Sequence, residues 1–70
     1  MDREFVQSSN VLAIGYAPEE SILEVEFSNG AVYQYYNVPQ YLHDDLMQSH
    51  SKGQFINTYI KNAYSFSRVA

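Results

Sequence analysis

Seventy residues have room for one hydrophobic core and little for an enclosed active site. With no cysteine the chain has neither a disulfide framework nor a thiolate zinc site, and 46% hydrophobic against 17% charged residues argues against a disordered tail. Eight acidic and four basic residues leave a formal charge of −4, opposite to the basic footprint of proteins that coat the nucleic-acid backbone.

The N-terminal Met1-Asp2-Arg3-Glu4 leads into mixed polar sequence instead of the apolar run of a secretory signal. The longest apolar stretch, Val11 to Ala17, is far short of the roughly 20 residues that cross a bilayer, so a cytoplasmic protein without membrane contact is expected. Residues 11–16 carry β-branched, aliphatic and aromatic side chains and precede the turn chemistry of Ala17-Pro18-Glu19-Glu20, which predicts a first strand. Residues 22–27 alternate, with Leu23, Val25 and Phe27 on one face and Glu24 and Glu26 on the other, as a strand with one wet side does.

Ser28-Asn29-Gly30 then separates this strand from a third over residues 31–36, and Asn-Gly between strand-like runs reads as a hairpin. A two-residue turn would pair Phe27 with Val32 and set Tyr33 and Tyr35 beside the glutamates. A three-residue loop with Gly30 in the left-handed region pairs Val25 with Tyr33 and Leu23 with Tyr35, giving the sheet one consistently apolar face. The second register is preferred for that reason.

Val38-Pro39 marks a strand exit, and proline suits a first helical turn because its missing N–H has no partner there. A helix of about ten residues is expected from it, with Leu42, Leu46 and Met47 inward and Asp44 and Asp45 near its positive end. Ser49 to Gly53 breaks the pattern, and Phe55, Ile56, Tyr59, Ile60 and Ala63 recur at helical spacing, predicting a second amphipathic helix over 54–64. Residues 65–70 carry no structural signal. The order predicts an α+β fold in one domain over residues 1–70, a three-stranded antiparallel β-meander followed by two α-helices packed on one face. The expected core is Leu12, Ile14, Leu23, Val25, Phe27, Leu42, Leu46, Phe55, Ile56, Tyr59 and Ile60.

Catalytic apparatus is absent from the pattern: no cysteine nucleophile, no serine elbow, and glycines at 15, 30 and 53 that build no phosphate-cradling loop. His43 and His50 stand two helical turns apart, and with Asp44 or Asp45 they form no ligand set at zinc-binding spacing. No metal or cofactor is expected. Glu24 and Glu26 are spaced as a carboxylate acid–base pair would be, though a solvated strand face accounts for the same spacing. Tyr33-Gln34-Tyr35-Tyr36 is the densest aromatic run in a chain with seven tyrosines and no tryptophan. Its rings either stack nucleobases or seal the edge of a small core with their hydroxyls wet, and in the preferred register Tyr33 and Tyr35 face the helices while Tyr36 is exposed. Tyr41 is the other ring expected outside. Ser51-Lys52-Gly53, with Asn57 a turn on, reads as an anion site at a helix start or as a serine cap with a solvated lysine. Ser8-Ser9-Asn10 is either a turn or a set of polar contacts to a partner.

Taken together, Ser8-Ser9-Asn10, Ile14-Gly15-Tyr16, Leu23-x-Val25-x-Phe27, Gly30, Tyr33-x-Tyr35, Val38-Pro39, Ser51-x-Gly53-x-Phe55, Asn57 and Ile60 resemble the KTSC domain over about residues 6–64. That domain takes its name from a C-terminal extension of lysyl-tRNA synthetase and also occurs as a stand-alone small bacterial or phage protein. Phe55 stands where the pattern often has tyrosine, and Ala17-Pro18 where an aspartate is common. The resemblance implies a non-catalytic module that binds structured RNA such as tRNA, through Tyr33, Tyr35, Tyr36, Lys52, Asn57 and Lys61, with Arg68 as a further cation. The alternative is an acidic protein-interaction module, as a phage-encoded inhibitor would be, docking on a basic partner through Glu24, Glu26, Asp44 and Asp45.

Overall fold

The computed structural model describes all residues 1–70. Its elements are β1 (Arg3–Phe5), β2 (Val11–Ala17), β3 (Ile22–Phe27), β4 (Val32–Tyr35), α1 (Gln40–Gln48), α2 (Lys52–Phe55), a π-helical segment (Ile56–Ile60) and β5 (Phe66–Arg68). The fold is α+β, but the sheet has five antiparallel strands in the order β1-β2-β3-β4-β5, not the three that the sequence predicts. Both extra strands are three-residue edges whose residues are all exposed, so they carry neither alternation nor an apolar run to be read. The helices fall between β4 and β5, and the chain returns to the sheet after them.

The β3–β4 hairpin takes the three-residue loop. Val25 pairs with Tyr33 and Leu23 with Tyr35, Phe27 N–H donates to the Ala31 carbonyl at 2.9 Å, and Gly30 sits at φ +92°. In β2 the alternation fails at one point. Val11 pairs with Phe27 but Ala13 with Glu26, so Leu12 is spent in a β-bulge and points outward at 41% exposure, and Val11 fills the core position expected of Leu12.

Ile14, Leu23, Val25, Tyr35 and Val38 pack with Val11 against Leu46 of α1 and with Ile56 and Ile60 of the π-helical segment. Phe27, Leu42 and Phe55 pack partly buried around this centre. Tyr59, expected inside, is 55% exposed. The Lys61 N–H reaches back five residues to the Ile56 carbonyl at 2.8 Å, and that wider turn swings Tyr59 out beside Phe55, with ring centroids 4.8 Å apart. Tyr16 is partly buried, and its hydroxyl donates to the Val38 carbonyl, pinning the β4–α1 connection.

The opposite face of the sheet is not the solvated acidic surface that alternation predicts. Glu24 is buried, accepts from Gln34 Nε2 at 2.8 Å and lies 3.2 Å from the Arg3 guanidinium, which also reaches Glu26 at 3.7 Å. Arg3 crosses directly over Gly15, where only a bare backbone leaves room for the N-terminal segment.

Candidate functional site

Tyr33 and Tyr35, two apart on β4, project from one face of the sheet toward the helices. Pairing of Tyr35 with Phe66 brings the β5 ring alongside them, with centroids 5.6 Å from Tyr33 and 5.9 Å from Tyr35. Phe27 meets Tyr33 edge to face at 5.7 Å, the geometry aromatic quadrupoles favour. Opposite these rings, Gly53 of α2 and Ile56, Asn57 and Lys61 of the π-helical turn form the second wall, and Asn10 closes one end. Between the walls lies a cleft of about 290 Å³.

The cleft has an apolar floor and polar handles. Neither the Tyr33 nor the Tyr35 hydroxyl, neither the Asn10 nor the Asn57 carboxamide, and not the Lys61 ammonium has a hydrogen-bond or ion-pair partner within the chain. Burial, with the neighbouring Tyr33 as a lesser cause, raises the Tyr35 pKa above the ordinary tyrosine value. Arg68 pairs across from Tyr33 on the same sheet face and spends its Nε on the Ala70 carbonyl at 2.9 Å. No carboxylate lines the cleft, although the chain as a whole carries −4.

Of the six residues expected at a binding surface, Tyr33, Tyr35, Asn57 and Lys61 converge on this cleft. Tyr36 lies on the other face, its hydroxyl donating to Gln34 Oε1 at 3.5 Å. Lys52 is occupied by the Ser49 carbonyl, while Ser51 Oγ accepts from the Gln54 N–H as a helix cap. Phe66 and Phe27 were not expected at a site. Phe66 sits on a strand without a sequence signal, and Phe27 was assigned to the core. Asn10 belongs to the Ser8-Ser9-Asn10 run that the sequence offers as either a turn or polar contacts to a partner.

The four carboxylates considered for a basic partner do not form one surface. Glu24 and Glu26 point away from the face that α1 covers, and Asp44 and Asp45 ride on α1 itself. His43 stacks on Tyr16 at 4.8 Å with its ring nearly parallel, and no group of three or more His, Cys, Asp or Glu side chains is placed to hold a metal ion. No helix is long and apolar enough to cross a membrane.

An antiparallel sheet with helices on one face and an aromatic cleft between the layers defines a small two-layer α+β domain. The model of the KTSC domain matches residues 7–64, and the chain belongs to that family. A protein of Stutzerimonas stutzeri is 44% identical over 70 residues, 99% of each chain, and one of Tsukamurella paurometabola is 46% identical over 56 residues, 80% of this chain and 84% of its own. A lysine–tRNA ligase of Nostoc punctiforme is 33% identical over 64 residues, which are 91% of this chain and 11% of the ligase. The crystal structure of a KTSC domain protein from Yersinia pestis superposes with a TM-score of 0.93 at 37% identity, covering 99% of this chain and 97% of that one.

Proposed function

We propose that this chain is a non-catalytic RNA-binding module that engages structured RNA such as tRNA through the cleft between β4–β5 and the π-helical turn. The observation that carries the reading is the composition of the cleft. Tyr33 and Phe66 offer ring surface, Lys61 offers an unpaired cation, and the walls hold no carboxylate in an otherwise acidic chain. Aromatic platforms bind unstacked bases without needing a broadly basic protein, and one or two cations suffice to hold the adjoining phosphates. Of the four Lys and Arg side chains, Arg3, Lys52 and Arg68 have internal partners, and Lys61, on the cleft wall, is unpaired. The likeness to part of a lysine–tRNA ligase supports the same ligand class.

Fluorescence anisotropy with labelled tRNA at low and moderate salt tests this. Saturable binding that weakens with salt, and weakens further in Lys61→Ala, is expected. No saturable binding at low salt overturns it. The acidic docking reading has less support, because Glu24 and Glu26 are engaged by Arg3 and Gln34.

A further inference from the structure

Resting on the RNA reading, we infer that the cleft admits a single unstacked nucleobase whose edge is read by the carboxamides of Asn10 and Asn57. The dimensions set the stoichiometry. At about 290 Å³ the cleft lies just below the range for drug-sized sites, a volume that suits one ring system and is far less than a duplex occupies. A base entering it meets ring surface on the sheet side from Tyr33 and Phe66. Stacking of that kind is indifferent to base identity, because every base has a π face.

Discrimination therefore falls to the polar groups around the rim. Asn10 and Asn57 stand on different elements, one before β2 and one in the π-helical segment, and both line the cleft. The Asn10 amide lies 3.8 Å from where a side chain on Gly53 would begin, ordinary contact distance, so Asn10 and the start of α2 stand side by side at this end of the cleft. Each carboxamide presents a donor beside an acceptor, and neither is consumed within the fold. That pair fits the amino and ring-nitrogen edge of adenine, but the Watson–Crick edge of every base sets a donor beside an acceptor, so the preferred base follows from how the two carboxamides are placed together. Lys61 contributes charge without identity, as a cation on the adjoining phosphate.

The test uses the full chain and four short single-stranded RNA homo-oligomers, with a duplex of the same length as a fifth ligand, followed by fluorescence anisotropy. One of the four homo-oligomers is expected to bind tightest, by about tenfold over the weakest. Asn57→Ala and Asn10→Ala should each reduce that spread, whereas Lys61→Ala should weaken all four single strands by a similar factor. Both asparagines are exposed, and an unchanged thermal midpoint verifies folding of each variant. Equal affinity for all four, a spread that survives both asparagine substitutions, or a preference for the duplex overturns this inference while leaving tRNA binding intact. Absence of binding to tRNA and to every oligomer overturns the RNA reading itself.

Discussion

Gly15→Ala tests how the N-terminal edge strand is held. An alanine Cβ at this position would stand 2.6 Å from the Asp2 carbonyl oxygen, 3.0 Å from Arg3 Cγ and 3.2 Å from Met1 Cγ. The first contact is with backbone, which has no rotamer to escape into, so β1 must shift or leave the sheet. Leaving forfeits the pairing of Arg3 to Phe5 with Ala13 to Gly15 and withdraws the guanidinium from Glu24, a carboxylate only 8% exposed. Each lost hydrogen bond costs about 1 kcal/mol net, and a buried carboxylate deprived of its cation adds to that. The released residues regain backbone entropy of about 1–2 kcal/mol each, which offsets part of the loss. Because β1 buries little apolar surface, the balance is a destabilisation of about 1–3 kcal/mol, or a fall in thermal midpoint on the order of 10 °C for a domain of this size. Circular dichroism melting gives the midpoint, and amide hydrogen exchange at Glu4 and Val6, whose N–H groups face β2, locates the loss. An unchanged midpoint with those amides as protected as in the parent would mean that β1 tolerates a side chain at residue 15.

Gly53→Ala has the opposite sign: its Cβ would meet Asn10 at an ordinary 3.8 Å, and replacing a helical glycine is expected to stabilise by about 1 kcal/mol, read as a higher urea midpoint. The bulge in β2 predicts that Val11→Ala costs about 2 kcal/mol while Leu12→Ala changes stability by less than about 0.5 kcal/mol, the reverse of what strict alternation implies. Tyr35, with its pKa raised on folding, gives up stability in alkali. Its contribution is whole below the unfolded tyrosine value near 10 and is lost as pH rises from there through the higher folded value. Urea midpoints across that range should decline less steeply in Tyr35→Phe, and an identical decline would count against burial of the phenol.

The hairpin was legible because two independent signals agree in it: Asn29-Gly30 specifies the turn, and alternation in residues 22–27 leaves one register with a coherent apolar face. Leu12 was misplaced because a bulge consumes one residue without altering composition, so the alternation that holds from Ala13 onward does not extend back through Leu12. Tyr59 was misplaced for a related reason, since a π turn changes the angular step on which helical spacing depends. Neither edge strand was legible: Arg3–Phe5 and Phe66–Arg68 are ordered by the neighbours that pair with them, not by a pattern of their own. The candidate cleft was half visible for the same reasons. Tyr33 and Tyr35 followed from the hairpin register, and Asn57 and Lys61 came with the second helix, but Phe66 needs β5, and the use of Asn10 needs the close approach of α2. The uses of Lys52 and Tyr36 within the fold depend on the Ser49 carbonyl and on Gln34, contacts that their own positions in the sequence do not announce.

The most direct test of the cleft as an RNA site is a two-dimensional NMR titration of the labelled protein with a single-stranded adenine oligomer. Saturable shift changes are expected at Tyr33, Asn57, Lys61 and Phe66, with the Arg3–Glu24–Glu26 face and the exposed side of α1 unmoved. Shifts centred on that acidic face, or none at any residue at saturating oligomer, would contradict RNA binding at the cleft.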